Sequence, residues 1–271
     1  MTADRHLTTS DAATRVFDDA SEVARAAAGE FVLRLLGIQA SRGSASVVLT
    51  GGGVGTAMLA AVAEDPDADR VDWSQVSVWW GDERYLPPGD PDRNETGARQ
   101  ALLDKLPDLA SEHVHPMPAA GGETGDGDAG GTRAASEVAA AASAYAAELA
   151  AAAGDPAIAL PGQLPGVPHF DVVLLGVGPD GHVASLFPER PDADPEATVI
   201  AVTDSPKPPP NRVSLTLSVL NTADEVWLLA TGSEKAVAVA SARNDPGRLP
   251  ASRVYGTKLT RWWLDAAAAG G

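Results

Sequence analysis

Residues 46–63 read SVVLTGGGVGTAMLAAVA. The opening SVVLT is apolar and β-branched with no polar alternation, which marks a strand buried on both faces. A glycine-rich loop, TGGGVG at 50–55, follows it, and 56–63 predict a short helix. Strand, glycine loop and helix form the unit of a parallel α/β sheet. The same alternation continues outward. Further strands are expected at 76–80 (VSVWW), 170–175 (FDVVLL), 198–202 (TVIAV), 213–217 (VSLTL), 226–230 (VWLLA) and 262–264. Helices are expected at 10–36, 94–106, 134–153 and 233–243. The first of these is capped by Ser10 or Asp11, carries Val16, Ala20, Val23, Ala27, Phe31 and Leu35 at helical spacing, and ends at Gly37. The fold class that results is α/β, an open, mostly parallel sheet with helices on both faces.

The chain has 271 residues, enough to bury about three quarters of its unfolded surface without staples. One domain is expected over 1–271, with the Gly- and Asp-rich stretch 119–131 as an insertion loop, because strands and helices resume the same order after it. Cysteine is absent, which excludes disulfides, thiolate metal sites and a cysteine nucleophile. Residues 1–11 are polar and lack a secretory apolar region. The longest uncharged stretch, 45–63, is broken by four glycines and reads as strand, loop and helix rather than a membrane span. The expectation is a soluble, cytoplasmic protein. The net charge of −17 repels nucleic acid and anionic membrane alike, so neither is expected as a partner. An anionic small molecule must therefore be held by local cations and backbone N–H groups.

Several segments next to strand ends carry unusual residues. Thr50, Gly51, Gly52 and Gly53 lead into a helix N-terminus, which suits a phosphate cradle. A tight strand–helix turn is the plainer reading, and no Lys-Ser/Thr pair follows to make a Walker loop. Asp82, Glu83 and Arg84 follow VSVWW. Arg84 is a candidate grip for phosphate or carboxylate, and Asp82 a candidate to take or orient a proton. GVGPDGH at 176–182 matches G-x-G-x-x-G, but the proline-containing stretch before the next strand leaves no room for a crossover helix. Asp180, two residues before His182 on a glycine turn, instead suits a histidine general base oriented by a carboxylate. SPKPPPNR at 205–212 is a stiff segment carrying Lys207 and Arg212. Lys235 falls in the first turn of a helix, where a cation opposes the dipole, so an anionic ligand is expected nearby. His113 and His115 alternate but show no third metal ligand, and His6 and His169 read as surface residues. No metal site is expected. No G-x-S-x-G elbow occurs.

Taken together, TGGG at 50–53, WGDERYLPPGDPDRN at 80–94, LLGVGPDGHVASLFP at 174–188, TDSPKPPPNRVSLTLSVLN at 203–221 and TGSEKA at 231–236 resemble the 6-phosphogluconolactonases. The resemblance spans roughly residues 47–240, and its PDGHVASLFP and SPKPPPNR stretches are specific. It implies the α/β fold shared with glucosamine-6-phosphate deaminases and ribose-5-phosphate isomerases. It also implies hydrolysis of 6-phosphoglucono-δ-lactone to 6-phosphogluconate in the pentose phosphate pathway, with no cofactor. On this resemblance His182 is the base that activates water, with Asp180 beside it. Arg84, Lys207 and Arg212 are substrate-binding cations, and Lys235 lies near the phosphate. One departure from the family is in the glycine loop. Gly53 and Val54 stand where hydroxyl residues are usual, which leaves phosphate to backbone N–H groups and Thr50. The rival expectation is an amino-sugar-phosphate deaminase or isomerase of the same fold, with Asp82 as base. A sugar-phosphate-sensing regulator is disfavoured, because the residues before the first strand read as one helix and leave no room for a helix-turn-helix.

Overall fold

The computed structural model describes residues 13–121, 132–153, 164–188, 190, 194 and 196–271. Most of the glycine-rich stretch 119–131, as well as Ser10, Asp11 and His6, lies outside the described residues. The main sheet has six strands: β1 (Ala13–Phe17), β2 (Ala45–Leu49), β3 (Val76–Trp80), β5 (Val172–Gly176), β8 (Glu225–Ala230) and β9 (Leu259–Asp265). Its order is β1-β9-β8-β5-β2-β3, and every pairing is parallel. Helices α1 (Ala20–Arg42), α2 (Gly52–Ala63), α3 (Asn94–Ala101) and α4 (Thr132–Ala152) lie between or before the strands. The runs read as apolar without alternation form the centre of this sheet, and β8 is buried along its whole length. Trp79, Trp80, Trp227, Trp262 and Trp263 are among the largest fully buried side chains.

Two expectations are corrected here. The single helix expected over 10–36 is a strand followed by a helix that starts and ends later than expected. Thr14, Val16 and Phe17 favour extended backbone, and β1 finds a partner in β9. The cap is Asp19, whose side chain accepts from the Glu22 N–H, and the helix runs through Gly37 to stop at Gly43 in the left-handed region. The strands expected at 198–202 and 213–217 do not join the main sheet. They are β6 (Val199–Val202) and β7 (Arg212–Leu215), and with β4 (Asp82–Arg84) they form an antiparallel sheet of order β4-β7-β6. The segment between β6 and β7 is too short for the dozen or so residues a parallel crossover needs. Gly81 joins the two sheets: its N–H donates to Leu49 O (3.0 Å) and its carbonyl accepts from Leu215 N (2.9 Å).

Strand β3 is an edge, and its outward backbone groups need partners. Tyr145 from α4 supplies one: its hydroxyl oxygen accepts from Trp80 N (3.1 Å), while His115 N donates to Val78 O (2.9 Å). Tyr145 is fully buried, and that burial is the main reason its hydroxyl is held well above its ordinary pKa. Replacing Tyr145 by Phe leaves the Trp80 N–H without its acceptor, a loss of about 1–3 kcal/mol. Urea unfolding of Tyr145→Phe is expected to show that loss; an unchanged midpoint would contradict the edge-capping role.

Candidate active site

Strands β2 and β5 are neighbours, yet the chain leaves β2 outward to β3 and leaves β5 in the other direction to β8. Ligands of open α/β sheets bind at the carboxyl ends of strands at such a reversal. A cleft of about 210 Å³ opens at this point. Its walls bring together Thr50, Gly51 and Gly52 after β2, Asp82 and Arg84 on β4, His182 after β5, Lys207, Arg212 on β7 and Lys235. Gly53 is not on the wall; it lies inside α2. Asp180 stands behind His182 rather than facing the cleft. Thr50 also stitches the two central strands, its Oγ1 accepting from Gly176 N at 3.1 Å.

The turn after β5 is folded tightly around His182. Gly178 N donates to His182 O and Gly181 N to Gly178 O, each at 2.9 Å. Asp180 Oδ1 lies 2.5 Å from His182 Nδ1. With Nδ1–H donating to that carboxylate, Nε2 is the free acceptor, as a general base requires. Lys207 Nζ donates to the same Asp180 oxygen at 3.1 Å and lies 3.2 Å from His182 Nδ1. Burial would raise the Asp180 carboxyl, but the hydrogen bonds and charges of His182 and Lys207 outweigh it and hold the group down at about 2. His182 is lowered below 6.5, chiefly by burial and further by Lys207, against the pull of Asp180 and Asp82. It is therefore neutral at neutral pH. The turn accepts only glycine at 178, because a Cβ there would sit 2.0 Å from His182 Nδ1 and 2.6 Å from Asp180 Oδ1.

The opposite wall is built on Glu83, whose role sequence reasoning missed. Its buried carboxylate accepts from Arg84 N (2.8 Å), Asn94 N (2.7 Å) and Glu95 N (2.9 Å), so it caps the first turn of α3. Burial raises its pKa, opposed by Arg93 and these backbone donors. Asn94, also missed, lines the cleft. Its Nδ2 donates to Asp82 O (2.8 Å) and Oδ1 (3.3 Å), and a Cβ on Gly51 would meet its Oδ1 at 1.8 Å. Ser185 Oγ donates to Asp82 Oδ2 at 2.6 Å. These three residues lie inside the stretches singled out in the sequence, but only folding shows that their side chains converge on Asp82 and α3.

The wall carries the cations Arg84, Lys207, Arg212 and Lys235 against the single carboxylate of Asp82. A positive cleft thus sits inside a protein of net charge −17. Lys235 is in a 3₁₀ turn just before the helix Ala236–Asn244, and its Nζ donates to Val177 O at 2.7 Å. Its pKa is lowered, mainly by burial, with Glu234 opposing. The other histidines among the described residues are structural. His115 stacks on Trp79 at 3.8 Å and pairs with Glu148 at 2.8 Å, and His113 Nδ1 lies 3.4 Å from Ser77 Oγ. His169, expected on the surface, is half-buried between Asp171 (3.4 Å) and Asp224 (3.3 Å), because its loop leads directly into central strand β5. These three have metal-ligand spacing, but Arg42 pairs with Asp171 and Lys258 with Asp224 (2.8 Å).

A family model described as glucosamine-6-phosphate isomerases/6-phosphogluconolactonase matches residues 18–263. The chain belongs to this family. Within the family it is 52% identical over 257 residues to a 6-phosphogluconolactonase of Streptomyces coelicolor, covering 94% of this chain and 92% of that protein. It is 46% identical over 261 residues to a 6-phosphogluconolactonase of Mycobacterium tuberculosis, covering 94% and 96%. Among solved structures it resembles 6-phosphogluconolactonase from Trypanosoma brucei, with TM-score 0.78, 26% identity and 96% and 98% of the two chains covered. A monomeric glucosamine-6-phosphate deaminase shares the fold at TM-score 0.68 and 17% identity, covering 95% and 99%.

Gly178→Ala tests the tight packing behind the imidazole. The added methyl must displace His182, and a misplacement near 1 Å can cost about 100-fold in turnover. Gly37→Ala, in open space on α1, is the matched control. Equal turnover in the two variants would contradict the geometry.

Proposed function

We propose that the cleft opens the ring of 6-phospho-D-glucono-1,5-lactone with His182 as the general base. The activity is hydrolysis of that lactone to 6-phospho-D-gluconate in the pentose phosphate pathway, the activity named for relatives 40–52% identical over most of the chain. The observation that carries the residue assignment is the contact of Asp180 with His182 at the sheet's reversal point.

In the proposed step, His182 Nε2 removes a proton from water as its oxygen bonds to the lactone carbonyl carbon. The carbonyl oxygen becomes an oxyanion, which the cations of the wall stabilise. The ring C–O bond then breaks, and the imidazolium returns the proton to the departing ring oxygen. The product is a carboxylic acid with a free hydroxyl. General-base help is worth roughly 10²–10⁴-fold, and one well-aimed oxyanion donor adds about 3–4 kcal/mol. Asp180 stabilises the transient imidazolium. The α2 N-terminus at Gly51 and Gly52, Thr50 and Lys235 hold the phosphate end, while Arg84 and Lys207 supply positive charge at the reacting end. Arg212 adds its charge from beneath. No step calls on a cofactor.

The deaminase reading would make Asp82 the proton-transfer group. That carboxylate is buried and already accepts from Ser185 and Asn94, which supports a bracing role instead. Among the described residues no helix is long and apolar enough to cross a membrane. A phosphorylated sugar is retained inside cells, which supports the cytoplasm as the setting. A small sugar phosphate, not nucleic acid or membrane, is then the partner.

His182→Ala is expected to lower kcat at least about 100-fold with the fold intact. Turnover near wild type would remove the base assignment. Because His182 is active when neutral and its pKa is depressed, kcat/KM, corrected for spontaneous opening, should fall to half only at a pH below the ordinary histidine value of 6.5. A midpoint above that value would contradict the assignment. Lys235→Ala should act mainly through KM, raising it about tenfold or more as an anion-binding contact is lost; an unchanged KM would move the phosphate away from Lys235.

A further inference from the structure

We propose that Arg212 is a positioning residue: it grips the carbonyl oxygens of the 205–210 loop and so fixes Lys207 against Asp180, instead of holding substrate itself. The proposal rests on the reading of His182 as the base.

The loop SPKPPP contains four prolines and so lacks most of the N–H groups that normally tie a loop together. Its internal bonds are few: Ser205 N donates to Pro210 O (2.9 Å) and Lys207 N to Ser205 Oγ (3.2 Å). The loop's two N–H groups are thus used within it, and three successive carbonyls find donors outside it. One guanidinium supplies them all. Arg212 Nε donates to Pro209 O at 3.2 Å, and Nη2 to Lys207 O at 3.1 Å and Pro208 O at 3.0 Å. The remaining nitrogen, Nη1, lies 3.9 Å from Asp82 Oδ2. Arg212 is only 5% exposed, and its backbone is pinned in β7 opposite Arg84. A side chain so buried, with both Nε and Nη2 committed to the loop, reaches the reaction through what it holds. What it holds is Lys207, whose Nζ touches both Asp180 and His182. A planar fork reaches the three carbonyls from two separate nitrogens; a lysine at 212 has one nitrogen and lacks that fixed spread.

The groups facing His182 are Asp180 on its own turn, Lys207 from the proline loop and Asp82 from β4, with the Phe187 ring packed at 4.8 Å. Of these, Lys207 is the one whose backbone Arg212 holds; Nη1 stays beside Asp82, and charge-preserving Arg212→Lys keeps a cation there. A cation near an imidazole lowers its pKa, so freeing the loop must raise it. The test is NMR titration of His182 in the substrate-free protein for wild type, Lys207→Met, charge-preserving Arg212→Lys and the double variant. Both single variants are expected to raise the His182 pKa by about half a unit or more. The double variant should rise no further than Lys207→Met alone. Steady-state kinetics should show a fall of about tenfold or more in kcat for Arg212→Lys.

A wild-type His182 titration in Arg212→Lys, with only KM raised and effects additive with Lys207→Met, would overturn the proposal in favour of direct substrate contact. If Arg212→Lys does not fold, Arg212→Gln is read by the side-chain ammonium resonance of Lys207: the proposal expects it to lose its Asp180 contact, and a resonance unchanged from wild type overturns it. The titration uses no substrate. Absence of lactone turnover in the wild type would thus overturn the functional reading separately.

Discussion

Asp180 Oδ1 organises the site. It receives the imidazole Nδ1–H and the Lys207 ammonium together, with the carboxyl held at about 2, so it stays charged across any working pH. That one oxygen sets the tautomer of His182, draws the proline loop toward the turn and balances a cation that would otherwise face the imidazole alone. The glycine at 178 exists for this contact, since any side chain there would occupy the same space. The imidazole and its orienting carboxylate are thus held by backbone geometry just past the carboxyl end of β5, a strand buried over its first four residues.

The electrostatic problem posed by a chain of net charge −17 is solved locally. Arg84, Lys207, Arg212 and Lys235 come from three segments, yet each lines the same cleft. Of the nearby carboxylates, Glu83 faces the backbone N–H groups of α3 and Asp180 is turned behind His182. Asp82 alone remains on the wall, tied to Ser185 and Asn94. Negative charge at the site is consistently committed to protein donors, and the cations of the wall outnumber the one carboxylate left beside them. A large negative surface then keeps the protein dispersed without excluding its guest.

The central parallel sheet was legible because its strands, such as 46–50 and 226–230, are uninterrupted apolar runs that no amphipathic helix would carry. What the runs do not encode is partnership. Residues 198–202 and 213–217 look like any other strands, and only the short segment between them forces an antiparallel pair. β1 was hidden because Val16 and Ala20 continue the helical spacing of α1, while its strand character depends on β9 at the far end of the chain. The site was legible where chemistry needs rare residue types in sequence, as at Asp180 and His182 or Lys207 and Arg212. Glu83, Asn94 and Ser185 were not, because their roles arise from three segments converging on one buried carboxylate and one helix end.

The central claim is that His182 is neutral and carries its proton on Nδ1, directed at Asp180. Nitrogen-15 NMR of the imidazole at pH 7 tests it without substrate or mutation. The structure predicts a pyrrole-type Nδ1 and a pyridine-type Nε2. An Nε2–H tautomer, or two protonated nitrogens, would contradict it.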